Sequence, residues 1–198
     1  MTAGRTVNSQ SQNWGTPPKY VQAVNDVFGG KIGLDPCSSE YSIVKAEIEY
    51  RLPEHDGLKE SWNYATIYVN PPYGMDRERG TSIKHWLGRC AEAHEVFGAE
   101  VIALVPVATN TEHWKKSIFG RASAICFLYD TRLKFLENGV SSGKGAPMAC
   151  ATIYWGNNYD KFYEVFINHG AVVDVRPLIG EKIGAQRKNK QMLLTTAA

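Results

Sequence analysis

Residues 65–73 read Ala-Thr-Ile-Tyr-Val-Asn-Pro-Pro-Tyr, and this stretch decides the fold. Its first five residues form an apolar, β-branched run of the kind found in buried parallel strands. The strand must end at Pro71 and Pro72, because two consecutive prolines cannot continue a hydrogen-bonded ladder. The side chains of Asn70 and Tyr73 are therefore predicted to lie at the carboxyl edge of a sheet, where open α/β sheets bind ligands.

The rest of the chain alternates short apolar runs with helical patterns, which is typical of an α/β fold with a mostly parallel sheet. The spacing of apolar residues predicts a helix capped by Thr16, helix-like structure over 43–50, a helix over 83–97 and a buried strand over 101–107. Two later runs, 133–135 and 148–155, are joined by a Gly/Ser loop rather than a helix. They predict an antiparallel hairpin at one edge of the sheet.

The composition is that of one ordinary globular domain. The 198 residues are 43% hydrophobic and 21% charged, with a net charge of +2. No apolar run approaches the roughly 20 residues that a membrane-spanning helix needs, and residues 1–12 hold no apolar signal-peptide core. We expect a flexible N-terminus over 1–12, a single domain over 13–178, a basic flexible tail over 179–198, and a cytoplasmic protein.

The four cysteines are widely scattered along the chain: Cys37, Cys90, Cys126 and Cys150. None has the CxxC spacing of a zinc site, so we predict no bound metal. The last three are expected to be buried, reduced thiols. Cys37 differs because it lies in a turn that is itself a candidate ligand site.

Two acidic turns precede the proline motif. The first consists of Asp35, Pro36, Cys37 and Ser38, and the second of Asp56, Gly57 and Leu58. The first follows a short apolar run, so its carboxylate is expected at the same sheet edge as Asn70. Each carboxylate can accept hydrogen bonds from amino or hydroxyl groups of a ligand. An acidic turn alone is weak support for a site, because Asp is common in ordinary turns.

The residue types at 70–73 suit methyl transfer to the exocyclic amine of a nucleobase. Such an amine is a poor nucleophile, since its lone pair is delocalised into the ring, so the catalytic task is positioning and polarisation. The Asn70 side-chain oxygen can accept one N–H, and the Pro71 backbone carbonyl can accept the other. Tyr73 can stack on a base that has left the duplex, and such stacking is worth about 1–3 kcal/mol.

The chain resembles the phage-type, Dam-like family of DNA N6-adenine methyltransferases over about residues 13–156. The resemblance rests on Trp14 with Thr16 and Pro17, on LDPCS (34–38), DGL (56–58), VNPPYG (69–74) and LVPVATNTEHW (104–114), and on RLKF followed by APMACATIYW. It implies the class I methyltransferase fold, which is Rossmann-like, with a mostly parallel, seven-stranded sheet. It also implies S-adenosylmethionine as the cofactor.

The same resemblance assigns the site. The catalytic residues would be Asn70, Pro71, Pro72 and Tyr73. The cofactor-binding residues would be Trp14, Thr16, Pro17, Asp35, Pro36, Cys37, Ser38, Asp56, Gly57, Leu58 and Asn70. The usual Gly-x-Gly after the cofactor acid is replaced by Ser38-Ser39-Glu40. The candidates for the acid that holds the cofactor ribose are Glu47 and Glu49.

No separate target-recognition domain is expected, because the spacing between the cofactor and catalytic motifs is too short to hold one. Contacts to double-stranded DNA would come from loops 74–82, 108–113 and 138–147. The candidate DNA-binding cations are Arg77, Arg79, Lys84, Arg132 and Lys134, which would position the duplex through its phosphates. The resemblance further implies a phage or restriction–modification setting.

Other functions stay open at this point. Cytosine-N4 methyltransferases act on an exocyclic amine with the same geometry, and similar NPPY turns methylate RNA or a protein glutamine. A catalytically silent cofactor- or DNA-binding module is compatible with the missing glycines. Asn70 favours adenine, and the intact motif favours an enzyme. No pattern specifies the recognition sequence or the oligomeric state.

Overall fold

The computed structural model describes residues 14–130, 132–141, 143 and 145–181. In chain order the strands are β1 (Trp14–Gly15), β2 (Leu34–Asp35), β3 (Ile48–Glu49), β4 (Thr66–Val69), β5 (Glu100–Pro106), β6 (Ala124–Leu128), β7 (Leu136–Glu137), β8 (Val140–Ser141), β9 (Cys150–Trp155) and β10 (Gly170–Asp174). The α-helices are α1 (Pro18–Val27), α2 (Ile83–Phe97) and α3 (Tyr159–Phe166). A π-helical segment covers Trp114–Ile118, and a 3-10 turn covers Arg176–Leu178.

The main sheet is mixed and has the strand order β10-β6-β9-β5-β4-β2-β3. Strands β3, β2, β4 and β5 run parallel to one another. Strand β9 runs antiparallel to both neighbours, β5 and β6, and β10 runs antiparallel to β6. The predicted α/β class is therefore confirmed, whereas the sheet divides into a parallel half and an antiparallel half.

The predicted edge hairpin is wrong. Residues 133–135 are not a strand, and the chain pairs next at β7 and β8, which join β1 in a separate three-stranded sheet. The expected partner strand, β9, lies in the middle of the main sheet. All six residues of β9 are buried, which is the property of a central strand rather than an edge strand.

Two local predictions also fail. Residues 43–50 are irregular around β3, and Lys45 has a φ of 53°, a left-handed conformation that interrupts a helix. Thr16 does not cap α1, because Pro17 occupies the cap position and the Thr16 hydroxyl lies 2.7 Å from the Tyr68 hydroxyl. The helix predicted over 83–97 is confirmed as α2.

Two apolar cores cover the two faces of the main sheet. In β5, Val101, Ala103 and Val105 pack in the core beneath α2, whereas Ile102 and Leu104 pack in the core beneath α1 and α3. This alternation follows from the two-residue period of a strand. As predicted, Cys90, Cys126 and Cys150 are buried free thiols.

Within the described part of the chain, no helix has the length and apolar character needed to cross a membrane. Among the same residues, no cluster of three or more His, Cys, Asp or Glu side chains has the arrangement of a metal site. The N-terminus over 1–12 and the tail from residue 182 onward lie outside the described residues, as do residues 142 and 144 of the predicted DNA-binding loop.

Candidate active site

A cavity of about 800 Å³ lies at the carboxyl ends of β2 and β4. It is bounded by the N-terminal strand β1, the turn after β2, the chain over 50–55 and the turn after β4. The predicted catalytic and cofactor-binding residues in its wall are Trp14, Thr16, Asp35, Pro36, Cys37, Ser38, Gly57, Asn70 and Pro72. Five others lie outside this lining, namely Pro17, Asp56, Leu58, Pro71 and Tyr73. The fold therefore gathers most of the predicted site around one cavity.

The Asn70 amide is held by the main chain of β1. Its Nδ2 donates to the carbonyl oxygen of Trp14 at 2.6 Å. Strand β1 is in turn fixed by pairing with β7, which places Trp14 opposite Glu137. Because the amide donor is engaged, the side chain of Asn70 presents Oδ1 as its acceptor.

The Tyr73 hydroxyl lies beside this acceptor. It is 3.2 Å from Asn70 Oδ1 and 3.2 Å from the carbonyl oxygen of Leu104, and it can donate to either. Burial raises the pKa of Tyr73 well above its ordinary value, so the hydroxyl keeps its proton at neutral pH.

An aromatic cluster surrounds the Tyr73 ring. The ring packs edge-on against Trp14 at 6.2 Å and against Phe135 at 5.9 Å, between ring centroids. Trp14 and Phe135 are themselves stacked at 5.2 Å. Tyr73 thus contacts protein aromatic rings here, and its stacking on a base stays a prediction.

Asp35 is a buried carboxyl group, with 4% of the residue exposed. Its Oδ1 accepts a hydrogen bond from the Cys37 backbone N–H at 3.1 Å. Burial raises its pKa to about 7, the Cys37 N–H opposes that rise, and the nearby Glu49 carboxylate adds to it. Asp35 can therefore change its charge near neutral pH, at the wall of the cavity.

Ser38 supplies a polar group without a partner among the residues that the structure describes. Its Oγ is buried and makes no hydrogen bond to any of them, although the residue lines the cavity. The backbone of the turn is fixed, since Ser38 N–H donates to the Tyr50 carbonyl oxygen. A buried unsatisfied hydroxyl costs about 1–3 kcal/mol, so its placement suits a polar ligand. This hydroxyl stands where Gly-x-Gly was expected.

The turn over 56–58 packs directly onto the turn over 35–38. A Cβ atom at Gly57 would clash with the Pro36 carbonyl oxygen, so only glycine fits there. Asp56 Oδ1 accepts hydrogen bonds from the Leu58 backbone N–H at 3.2 Å and from Arg79 Nη1 at 3.0 Å. The Asp56 carboxylate thus faces Arg79, and its contact with a cofactor adenine stays a prediction.

The five predicted DNA-binding cations differ in their surroundings. Arg77, Lys84, Arg132 and Lys134 are exposed. The side chain of Arg79 is only 21% exposed and forms ion pairs with Asp56 and with Asp76. Arg79 lines both the main cavity and a second groove beside α2, whereas Lys84 lines the second groove.

The two acidic residues that are candidates for holding the cofactor ribose, Glu47 and Glu49, also have different surroundings. Glu49 ends β3 and lies opposite Asp35 in the strand register, and its carboxylate contacts Arg51. Glu47 instead pairs with Lys31 at 3.0 Å. Glu49 is therefore placed at the carboxyl edge beside the cavity turn.

A sequence profile of the family described as DNA N-6-adenine-methyltransferase (Dam) matches residues 3–178. The chain belongs to this family. Membership makes it an enzyme, a DNA adenine methyltransferase at the level of the family, and confirms the resemblance read from the sequence. No curated protein matches this Dam-family chain.

Some residues at the site of this Dam-family enzyme were not singled out by their sequence. Tyr41 and Arg51 line the cavity although neither belongs to a chemical motif, and Asn138 lines it from the loop that was expected to contact DNA. Phe135 lies in the RLKF stretch, and its contact with Trp14 depends on the pairing of β1 with β7. Only the tertiary fold brings these residues to the site.

Proposed function

We propose that this enzyme is a site-specific methyltransferase that transfers a methyl group from S-adenosylmethionine to N6 of an adenine flipped out of double-stranded DNA. The observation that carries the proposal is the arrangement of Asn70. Its Nδ2 is held by the Trp14 carbonyl, and its Oδ1 is an acceptor beside the cavity that Asp35 and Ser38 also line.

The cavity residues fit the cofactor. A volume of about 800 Å³ lies within the range of about 300–1,000 Å³ that small-molecule sites occupy. The buried carboxyl of Asp35 and the unpartnered hydroxyl of Ser38 can receive its polar groups. When bound, S-adenosylmethionine would supply an electrophilic methyl group on a sulfonium centre.

The remaining cofactor contacts follow the sequence prediction. Thr16 and Pro17 would lie on the methionine side, with Trp14 packed at the pocket. Pro36 and Cys37 would shape the central turn, and Asp56, Gly57 and Leu58 would lie on the adenine side. Of the two ribose candidates we propose Glu49, because it ends β3 opposite Asp35 whereas Glu47 is paired with Lys31.

The chain can polarise the target amine through two acceptors, and the proton that the methylated nitrogen must lose would pass from these acceptors to solvent. Asn70 Oδ1 would accept one N–H of the exocyclic amine and the Pro71 carbonyl the other, which favours the tetrahedral nitrogen that develops as the methyl group arrives. When the Tyr73 hydroxyl donates to Leu104, both lone pairs of Asn70 Oδ1 are free. Pro72, in the cavity wall, would contact the base, and Tyr73 would stack on it.

The architecture supports a class I, Rossmann-like methyltransferase fold. The parallel half of the sheet, β3-β2-β4-β5, carries the cavity at its carboxyl edge, as in other open α/β sheets with ligand sites. The DNA would lie across this edge, with Arg77, Lys84, Arg132 and Lys134 at its phosphates. Bases would be read from the loops around the cavity.

Labelled S-adenosylmethionine and mixed-sequence DNA test the proposal directly. We expect N6-methyladenine as the labelled nucleoside in digested DNA, at one recognition sequence. Labelled N4-methylcytosine would identify a cytosine enzyme, and label confined to RNA or protein would identify another substrate. Cofactor binding without transfer to any substrate would contradict an active enzyme and favour a binding module.

A further inference from the structure

Arg79 joins two segments that belong to opposite sides of the site. Its Nη1 donates to Asp56 Oδ1 at 3.0 Å, and its Nε donates to Asp76 Oδ2 at 2.8 Å. Its own backbone N–H donates to Asp76 Oδ1 at 3.0 Å. Asp56 belongs to the turn on the cofactor side, and Asp76 follows the catalytic motif by three positions.

The loop that carries Arg79 is a closed turn. The backbones of Asp76 and Thr81 exchange two hydrogen bonds, at 2.9 and 3.0 Å. Gly80 has a φ of 64°, the left-handed conformation that lets so short a loop close. Gly74, Asp76 and Thr81 line the main cavity, so the conformation of this loop shapes the site.

The turn over 56–58, on the cofactor side, is also closely packed. Gly57 lies against the Pro36 carbonyl, and its own carbonyl accepts a hydrogen bond from Trp62 Nε1 at 2.7 Å. A displacement of Asp56 would therefore be transmitted to the turn over 35–38. A continuous set of contacts leads from Asp76 through Arg79 and Asp56 to Pro36.

We propose that Arg79 is a positioning residue that couples the loop over 74–81 to the cofactor pocket, and that it is not a phosphate contact. The inference rests on the function proposed above. Two of its donors and its charge are engaged by Asp56 and Asp76, whose side chains are 15% and 28% exposed. Arg77 provides the contrast, since it lies in the same loop and is exposed.

The consequence is that one side chain, Arg79, holds both the loop over 74–81 and the turn over 56–58 on the cofactor side. Loss of the Arg79–Asp56 contact would release the turn over 56–58 even when no DNA is bound. A phosphate contact would behave differently, because it acts only on the DNA and contributes about 0.9 to the slope of log K against log salt.

The test measures two quantities in Arg79→Met, in Asp56→Asn, in the double variant and in Arg77→Met. Calorimetry gives the affinity for S-adenosylmethionine without DNA, and a salt titration of DNA binding gives the slope. We expect Arg79→Met and Asp56→Asn each to weaken cofactor binding by about 3- to 10-fold, with no further loss in the double variant. Arg79→Met should leave the salt slope unchanged.

Arg77→Met is the matched control and should lower the slope by about one while leaving cofactor affinity intact. The inference would be overturned if Arg79→Met kept wild-type cofactor affinity or lowered the salt slope by about one. Additive losses of cofactor affinity in the double variant would also overturn it. If Arg79→Met does not fold, Arg79→Lys takes its place in the test. Weaker cofactor binding in Arg79→Lys would support a positioning role, and wild-type cofactor binding would identify a phosphate contact. Wild-type protein that binds neither ligand would refute the proposed function and the inference with it.

Discussion

The two polar atoms of the Asn70 side-chain amide, Nδ2 and Oδ1, have different roles. The donor end is engaged by a main-chain carbonyl, and the acceptor end remains for a substrate amine or for Tyr73. The sequence predicted the acceptor role from the residue type and the strand end. It gave no sign of the donor's partner, because Trp14 is 56 positions away and reaches Asn70 only through β1.

Asn70→Ala should remove activity while sparing the cofactor. Loss of an acceptor that acts in the transition state typically lowers kcat by about 10²- to 10³-fold. We expect such a loss in single-turnover methylation, with cofactor affinity within about threefold of wild type. Asp35→Ala should lose both activity and cofactor affinity. Asn63→Ala, at an exposed position, should keep both. Equal losses of activity and cofactor affinity in Asn70→Ala would contradict the assignment.

Asp35 should make stability depend on pH. Its pKa is about 7 in the folded chain and about 3.9 when unfolded, so folding favours the protonated form. The resulting stability is full below pH 4 and is lost as pH rises through 7. The free energy of unfolding of wild type, relative to Asp35→Asn, should therefore fall by roughly 1–4 kcal/mol between pH 4 and 8.

Urea titrations at several pH values measure this difference. Asn63→Ala, at an exposed position and without a titratable group, is the control and should run parallel to wild type. If the free energies of unfolding of Asp35→Asn and wild type change in parallel with pH, burial does not raise the pKa of the Asp35 carboxyl.

At the scale of elements, predictions succeeded where a local pattern was sufficient. The helix over 83–97 was predicted from its apolar face and β4 from its run into two prolines, and both are found. The segments around β3 and β7 were misjudged. These strands have two residues each, so their existence depends on partners that sequence spacing does not reveal.

Gly57→Ala should disrupt the contact between the two acidic turns. The added methyl group would meet the Pro36 carbonyl oxygen, and backbone cannot move aside as a flexible side chain can. We expect a loss of about 1–3 kcal/mol in the free energy of unfolding, together with weaker cofactor binding.

Gly88→Ala is the natural control for that substitution. Gly88 lies within α2 and its Cβ position is open, so alanine should stabilise the protein by about 0.5–1 kcal/mol. Urea denaturation of both variants provides the comparison. Equal shifts in the two variants would argue against the close approach of the turns.

At the scale of the whole molecule, the two sheets should differ in stability. Strand β5 lies between β4 and β9, and its residues 101–105 are fully buried. The strands β7 and β8 are short, and three of their four residues are exposed. Amides of β5 should therefore exchange hydrogen only through global unfolding, whereas those of β7 and β8 should exchange roughly 100-fold faster or more through local opening. Equal protection of the two sheets would contradict this difference.

The global arrangement was only partly predictable. The α/β class followed from alternating patterns, but the central place of β9 did not, because nothing in its apolar run distinguishes a hairpin strand from a buried one. The site was easier to predict from the sequence than the strand order of the sheet. The Asp35 and Asn70 turns both follow parallel strands, so their meeting at one edge needed only the direction of β2 and β4.

The hydrogen bond from Asn70 to Trp14 has a practical consequence for genetic experiments. Its acceptor is a peptide carbonyl, which every amino acid at position 14 would retain. A complete mutational scan of that position would report on ring packing alone and would leave the contact invisible. Replacing the peptide link between Trp14 and Gly15 by an ester would weaken the carbonyl as an acceptor, and only such backbone chemistry can weigh its part in methyl transfer.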